Sequence, residues 1–219
     1  MVRRALVTGH LGFVGKHLTK RLTQDGWDVI GIDRKLGADV QFADLPSVDR
    51  VFHLAAQTNA QDKDAIRDAQ ANIMGALRVF ATYGDKCVFA SSSMVNYPRC
   101  PYAISKFAAE NYALYFGCAV VRFCNLYGEG GHSVIDKMRD AERIMIYGTG
   151  EQVRTYAPVE DAIDALMNAQ PGQLAILPGE DYTVNQIADM YPGKTIDHMP
   201  ANELDMMDAR QIYPGPMWA

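Results

Sequence analysis

The first third of the chain alternates strands and helices around a glycine-rich turn, and this constrains the fold most. Ala5 to Thr8 form a short apolar strand, which runs into the turn "TGHLGFVG". Val14, Leu18 and Leu22 then recur at helical spacing, and "WDVIGID" follows as a second buried strand. Strand, glycine turn, helix and strand in this order predict a parallel βαβ unit.

The same alternation continues along the chain. Predicted strands are "DVQFA", "RVFHLAA", "KCVFASSS" and "CAVVRF", and predicted helices run from Asp64 to Tyr83 and from Pro101 to about Phe116. Apolar strands that alternate with helices indicate a parallel sheet covered on both faces. After Asn125 the pattern weakens to helices near 133–142, 159–168 and 184–190 and strands "RIMIYG", "LAILPG" and "TIDHM", with "LYGEGGH" and "TGEQVRT" as loops. We predict an α/β protein, with a small cap built from the second half.

Charge and cysteine content exclude several functions. A net charge of −5 and the absence of a basic run argue against binding to nucleic acid or an anionic membrane. The four cysteines have no metal-binding spacing, so we expect reduced thiols and no metal site. No leader-like segment and no apolar run of about 20 residues is found, which leads us to expect a soluble cytoplasmic protein.

The glycine turn predicts a dinucleotide site. Gly9, Gly12 and Gly15 have the spacing that lets a pyrophosphate approach the amide groups at a helix N-terminus. Asp33 ends the next strand, where an acidic residue usually holds the adenosine ribose hydroxyls. A carboxylate there repels a 2′-phosphate and favours NAD, although the adjacent Arg34 leaves NADP open.

A tyrosine and a lysine one helical turn apart predict acid–base chemistry. Tyr102 and Lys106 share a helix face directly after Pro101. A nearby ammonium stabilises the phenolate, which makes tyrosine a usable base. The serines Ser91 to Ser93 end the fifth predicted strand, at the sheet edge where ligands bind.

As an ordered set, these motifs resemble the extended short-chain dehydrogenases/reductases of the NAD-dependent nucleotide-sugar epimerase/dehydratase family. The matching segments are "TGHLGFVG", "GIDR", "ADL", "HLAAQT", "NIMGALRVF", "FASSSMVNY", "PYAISKFAAE", "VRFCNLYGEG" and "IYGTGEQVRTYAPVEDAIDA". The resemblance implies a Rossmann-like doubly wound sheet with a small C-terminal substrate-binding cap. The NAD-binding domain would comprise residues 1–125 and about 155–172, and the cap about 126–154 and 173–219.

The resemblance also implies roles for individual residues. Ser93, Tyr102 and Lys106 would be catalytic, with Ser93 as the hydroxyl partner of the tyrosine, and Lys106 would also hold the nicotinamide ribose. Asn125 and Arg154 would hold the diphosphate of a nucleotide-sugar substrate. The residues implied to border the cofactor, besides Tyr102 and Lys106, are Gly9, Gly12, Phe13, Val14, Gly15, Asp33, Arg34, Asp44, Leu45, Leu54, Ala55, Ala56 and Thr58.

The chain departs from the family pattern in ways that bear on the reaction. It is compact, with only "PRC" between Tyr97 and the helix that begins near Pro101. Met94 and Val95 replace the acidic pair that 4,6-dehydratases of the family carry, which disfavours dehydration. The reductase branch typified by GDP-fucose synthase has a cysteine where this chain has Ser93, but His132 lies in the region of its histidine.

We therefore expect an NAD-dependent nucleotide-sugar epimerase that acts at C4 through a transient 4-keto sugar. The alternatives are an NAD(P)H-dependent epimerase/reductase and a non-catalytic dinucleotide-binding protein. The family resemblance further implies a homodimer, formed through the helices 64–83 and 101–116.

Overall fold

The computed structural model describes residues 2–201 and residue 205. Its strands are β1 (Arg4–Thr8), β2 (Asp28–Ile32), β3 (Arg50–His53), β4 (Cys87–Ser92), β5 (Ala119–Phe123), β6 (Asn125–Tyr127), β7 (Arg143–Tyr147), β8 (Val153–Pro158), β9 (Leu174–Ile176), β10 (Glu180–Thr183) and β11 (Thr195–Met199). Its α-helices are α1 (Phe13–Gln24), α2 (Ala65–Asp68), α3 (Gly75–Tyr83), α4 (Pro101–Tyr115), α5 (Val134–Asp140), α6 (Val159–Asn168) and α7 (Val184–Asp189). Short 3₁₀ turns occupy Arg34–Leu36, Gly84–Lys86 and Ser93–Asn96.

The chain divides into two compact units. The first comprises residues 1–123 and 160–177, and the second comprises residues 124–159 and 178–219. The assignment of these units to cofactor binding and substrate binding remains a prediction.

The first unit contains the parallel sheet that the alternating pattern predicts. Six strands lie in the order β2-β1-β3-β4-β5-β9, and every neighbouring pair is parallel. Strand β1 illustrates why: Ala5 and Val7 belong to one buried cluster and Leu6 to another. Because successive side chains point to opposite faces, a strand with three consecutive buried apolar residues must be covered on both sides.

The helix predicted over residues 64–83 is present but is not uniform. Between α2 and α3 the residues Ala69–Met74 form a π-helical turn. Single π turns inside helices occur frequently at functional sites, and this one carries the buried Asn72.

The predicted strand "DVQFA" is wrong. The carboxylate of Asp39 accepts from the amide of Gln41, and its main-chain carbonyl accepts from the amides of Phe42 and Ala43, which closes a turn where the pattern indicates a strand. A short acidic side chain that bonds its own backbone competes with sheet pairing in this way.

The second unit contains two small sheets. Strand β8 lies between β10, which is antiparallel to it, and β6, which is parallel. Strands β7 and β11 form a parallel pair. Most of β6 and half of β8 fall in segments that the sequence indicates as loops.

Of the described helices, none is both long and apolar enough to cross a bilayer. Over the same residues, no group of three or more His, Cys, Asp or Glu side chains could hold a metal ion.

Candidate active site

The glycine turn between β1 and α1 is shaped so that side chains do not fit. Gly9 has a φ of +73°, and a Cβ there would lie 2.9 Å from the backbone nitrogen of Ala55. A Cβ on Gly15 would lie 2.2 Å from the carbonyl oxygen of Gly9. Helix α1 begins after Gly12 without a side-chain cap, so its first amide groups have no side-chain acceptor at that position.

Asp33 is tied to this turn. Its carboxylate accepts from the backbone amide of Leu11 at 3.0 Å and from that of Lys35 at 2.9 Å. The acid therefore fixes the glycine turn and the start of the 3₁₀ turn after β2 together. The adjacent Arg34 is exposed.

The other residues implied for the cofactor lie around the same end of the sheet or on neighbouring loops. Ala55 follows β3, and its amide donates to the hydroxyl of Thr8 at 3.2 Å. Leu45 packs against the core, whereas Asp44 and Thr58 are exposed. The remaining members of the set are partly buried: Phe13, Val14, Leu54 and Ala56.

The three serines at the end of β4 have different surroundings. Ser91 is 3 % exposed, and its hydroxyl donates to Glu110 at 2.6 Å. Ser92 is the last residue of the strand, and its hydroxyl accepts from the amide of Met94 at 3.2 Å. Among the three serines, Ser92 is the one whose hydroxyl acts on the phenol of Tyr102 and lowers its pKa, while the role of Ser93 as the hydroxyl partner stays a prediction. Ser93 belongs to the following 3₁₀ turn, so its side chain does not continue the alternation of side chains between the two faces of β4.

Tyr102 lies in the first turn of α4, directly after Pro101. Burial raises the pKa of the phenol, and the hydrogen bond with Ser92 opposes that effect. The nearby Cys100 and Asp68 raise the pKa further, through their negative charges when ionised. In the protein alone, the phenol is therefore held in its neutral form.

Lys106 follows one turn later on α4 and is 3 % exposed. Its ammonium donates to the carbonyl of Ala90 at 2.5 Å and lies 4.0 Å from the ring centroid of Phe89. Burial lowers the pKa of Lys106 to about 7, and the carboxylate of Glu110 opposes this shift.

The π-helical turn positions the start of α4. The side-chain oxygen of Asn72 accepts from the amide of Gln57 at 2.7 Å. Its side-chain nitrogen donates to the hydroxyl of Ser105 at 2.9 Å, and that hydroxyl donates to the carbonyl of Tyr102 at 2.8 Å. One buried amide therefore connects the segment after β3 with the helix turn that carries the tyrosine.

Asp68 was not identified from the sequence and is unusual in this region. It is 1 % exposed, and neither carboxylate oxygen has a hydrogen-bond partner in the part of the chain that the structure describes. Burial raises the pKa of its carboxyl, with Asp62 and Asp64 adding to the shift and Arg67 opposing it. The one signal in the sequence was its position four residues before Asn72, on the same helix face.

Replacing Asp68 with Asn is expected to stabilise the protein near pH 7 by about 1 kcal/mol, because it removes a buried charge that has no hydrogen-bond partner and that solvent and Arg67 screen only in part. The pKa of Asp68 is raised by folding, so its favourable contribution is present at low pH. That contribution is lost as the pH rises from the usual carboxyl range through the raised pKa. Urea unfolding at about pH 4 and about pH 8 should give a difference between variant and wild type that grows with pH.

The exposed Asp85 provides the control. Asp85→Asn is expected to leave the free energy of unfolding nearly unchanged at both pH values. A pH-independent effect of Asp68→Asn would contradict the assignment of an unpaired charge at Asp68.

The residues implied for the substrate lie in the second unit. Asn125 begins β6, and its side chain donates to the carbonyl of Thr155 at 2.9 Å. Arg154 lies on β8 and donates to the carbonyl of Asp205 at 2.7 Å. His132, which the reductase alternative would use, is exposed on the loop before α5.

The parallel sheet, the glycine turn after its first strand and the Tyr-x-x-x-Lys helix define a Rossmann-like protein of the short-chain dehydrogenase/reductase type. The model of the NAD dependent epimerase/dehydratase family matches residues 5–184. The chain belongs to this family, and the predictions of its fold class and of an enzyme are confirmed.

Three relatives illustrate the range of the family. A putative UDP-glucose 4-epimerase from Methanocaldococcus jannaschii is 28 % identical, over 84 % of this chain and 80 % of its own. The structure of MoeE5 in complex with UDP-glucuronic acid and NAD is 26 % identical, with a TM-score of 0.79, and the match covers 91 % of this chain and 86 % of that one. A GDP-6-deoxy-D-mannose reductase from Pseudomonas aeruginosa is 30 % identical, over 53 % of this chain and 48 % of its own.

Proposed function

We propose that this protein is an NAD-dependent nucleotide-sugar epimerase that acts at C4. The observation that carries the proposal is the phenol of Tyr102 in the first turn of α4, one helical turn from the buried Lys106 and under the influence of Ser92 at the end of β4. A phenol, a hydroxyl partner and an ammonium supply what is needed to remove and return the proton of an alcohol. Two relatives support the proposed reaction and substrate class, one named putative UDP-glucose 4-epimerase and one named UDP-glucose 4-epimerase.

The residues of the first unit fit a dinucleotide. The glycine turn leaves a cradle that a Cβ at Gly9 or Gly15 would fill, and the first amides of α1 can bind a pyrophosphate. Asp33 would accept from the adenosine ribose hydroxyls, and its charge favours NAD over NADP. Bound NAD would supply the hydride acceptor and donor for the sugar carbon. Calorimetry with NAD and NADP tests this preference, with NAD expected to bind more tightly.

The chain's own groups would act in three ways. The phenolate of Tyr102 removes the proton of the C4 hydroxyl, with Ser92 as its hydrogen-bond partner. The ammonium of Lys106 stabilises the phenolate and holds a ribose hydroxyl. Asn125 and Arg154 would hold the diphosphate, for which the planar guanidinium of Arg154 is suited. Returning the hydrogen to the opposite face of a 4-keto sugar inverts C4.

The ionisation of Tyr102 sets a condition on this reaction. In the protein alone the pKa of the phenol is raised, chiefly by burial. Positive charge near the phenol is therefore required before it can act as a base. Lys106 is one source of this charge, and we expect the acidic limb of the pH–rate profile to reflect the phenol of the cofactor-bound protein.

Turnover with UDP-glucose and UDP-galactose in the presence of NAD tests the function, with the products identified by NMR. An epimerase returns its hydride, so the absorbance of NADH should show no net change while the C4 epimers interconvert. Stoichiometric consumption of NAD(P)H would instead favour the reductase alternative, for which the relative named GDP-6-deoxy-D-mannose reductase is the specific support. NAD binding without turnover of any nucleotide sugar would favour a non-catalytic protein.

A matched pair of variants tests which serine assists Tyr102. Ser92→Ala removes the hydroxyl that lowers the pKa of the phenol, and we expect it to lower kcat by roughly tenfold or more. Ser93→Ala changes a hydroxyl in the following 3₁₀ turn and is expected to have a much smaller effect. Steady-state kinetics at several pH values give kcat for both variants. A larger loss of kcat in Ser93→Ala than in Ser92→Ala would support Ser93 as the hydroxyl partner of Tyr102, as the family resemblance implies.

We also propose a homodimer formed through the helices 64–83 and 101–116. Large apolar side chains are exposed there, at Ile66, Met74, Ile104, Tyr112 and Tyr115. Such a concentration is typical of an interaction surface. In analytical ultracentrifugation, the wild type is expected to sediment as a dimer. Ile104→Glu places a charge on the proposed interface and is expected to shift the protein towards monomer. A monomeric wild type would contradict the proposal.

The four cysteines agree with a reducing compartment. All are free thiols, and three of them are buried. We propose a cytoplasmic location on this basis.

A further inference from the structure

A buried ion pair lies behind the catalytic helix, and the proposed reaction does not use it. Glu110 on α4 is 3 % exposed, and Arg122 on β5 donates to both of its carboxylate oxygens, at 2.5 Å from Nη2 to Oε1 and 2.9 Å from Nε to Oε2. The hydroxyl of Ser91 donates to Oε2 at 2.6 Å, and Nη1 of Arg122 donates to Asn96 at 3.0 Å. The carboxylate is thus bound from two neighbouring strands.

This pair is adjacent to Lys106 in two ways. Glu110 follows Lys106 by four residues on α4, so the two side chains share one helix face. Lys106 binds the carbonyl of Ala90, and Glu110 binds the hydroxyl of the next residue, Ser91. Both side chains therefore hold consecutive residues at the end of β4.

Lys106 has few other charges near it. Within the described residues it makes no salt bridge, and the ring of Phe89 on β4 covers it. From β3 it faces His53, which is 1 % exposed and whose pKa is lowered to about 3 by burial and by the lysine charge. His53 is therefore neutral, and Glu110 is the carboxylate that acts on the ammonium.

We propose that Glu110 is a positioning residue that keeps Lys106 protonated in its buried site, and that Arg122 limits this effect by neutralising part of the carboxylate charge. The ion pair would then adjust the charge of the catalytic lysine without contacting the substrate. The consequence for turnover, though not the electrostatic coupling itself, rests on the proposed function.

The expected pH dependence follows from the sign of these charges. Burial lowers the pKa of Lys106 to about 7, and Glu110 works against it. The ammonium stabilises the phenolate of Tyr102 only while it is protonated. Activity should therefore fall on the alkaline side, as the pH rises through the pKa of Lys106. Loss of Glu110 should move this limb to lower pH.

The titration of Lys106 can be measured directly, without turnover. The ¹³C shift of the lysine Cε is followed against pH in protein labelled at lysine, with Lys106→Met identifying the signal. In Glu110→Gln the midpoint is expected below that of wild type, and in Arg122→Gln above it. Glu110→Asp keeps the charge and is expected to stay near wild type.

A purely structural role predicts something different. Both Glu110→Gln and Arg122→Gln leave a buried charge unpaired, so both should lower thermal stability, but loss of packing gives no reason for midpoints that move in opposite directions. An unchanged midpoint in Glu110→Gln, or shifts of the same sign in the two variants, would overturn the proposal.

A further variant covers the case in which Glu110→Gln does not fold. Glu110→Gln/Arg122→Met removes both charges and should still lower the midpoint, and an unchanged midpoint there would overturn the proposal. If the midpoints shift as expected but no nucleotide sugar is turned over, the coupling stands and only the proposed function fails.

Discussion

Tyr102→Phe is expected to lower the turnover of a nucleotide sugar by about 10²–10⁴-fold, the range typical of losing a general acid–base group. The substitution keeps the ring that packs at the start of α4. It removes only the hydroxyl, whose pKa Ser92 lowers. The rate is measured with saturating NAD and the sugar nucleotide that wild type converts fastest, and NAD affinity is measured beside it.

The control for this variant lies on the same helix. Tyr112 is 44 % exposed, so Tyr112→Phe removes a hydroxyl of the same kind at a position where we expect no role in turnover. Wild-type activity in Tyr102→Phe would remove the tyrosine from the mechanism. A loss of folding in that variant alone would mean that the phenol is structural.

Gly15→Ala is expected to abolish or severely weaken NAD binding. The added Cβ would lie 2.2 Å from the carbonyl oxygen of Gly9 and 2.7 Å from Cα of His10. Both contacts are with backbone, so the glycine turn itself has to move. Crowding of this kind costs about 1–3 kcal/mol or more, and the displaced turn no longer presents the first amides of α1 to a pyrophosphate. Calorimetry with NAD measures the affinity, and thermal unfolding measures the cost to stability.

A second glycine separates crowding at the turn from general strain. Gly117 has a φ of +76°, and a Cβ there would meet nothing within 4 Å. Gly117→Ala is expected to cost about 1–2 kcal/mol of stability through its backbone conformation while leaving the affinity for NAD unchanged. Wild-type affinity in Gly15→Ala would show that the glycine turn does not bind the cofactor.

The sequence predicts the first unit well because its signals are local. The apolar run of β1, the glycine turn and the helical spacing of Val14, Leu18 and Leu22 each lie within a few residues, and together they determine a parallel βαβ unit. The second unit has short strands with fewer apolar residues, and most of β6 and half of β8 lie in segments that the sequence indicates as loops. Pairing between β8 and β10 joins residues more than twenty positions apart in the sequence. A local sequence pattern cannot indicate such a pairing.

The candidate site also combines residues that a local sequence pattern predicts with residues that it does not predict. Tyr102 and Lys106 could be selected from their spacing on one helix. The choice between Ser92 and Ser93 depends on where β4 ends and the 3₁₀ turn begins, a boundary that sequence patterns locate only within a few residues. The bond between Glu110 and Arg122 joins a helix to a strand. Neither partner carries a sign of burial in its local sequence, since charged residues are mostly exposed.

The most direct test of the central claim uses a nucleotide sugar that carries deuterium on C4. If Tyr102, with Ser92 and Lys106, drives oxidation at C4 and the hydride returns to the same carbon, the epimer formed in the presence of NAD should retain the deuterium at C4. The rate should also fall relative to the unlabelled sugar whenever hydride transfer limits turnover. Loss of the deuterium to water during epimerisation, or NAD-independent epimerisation, would contradict the account.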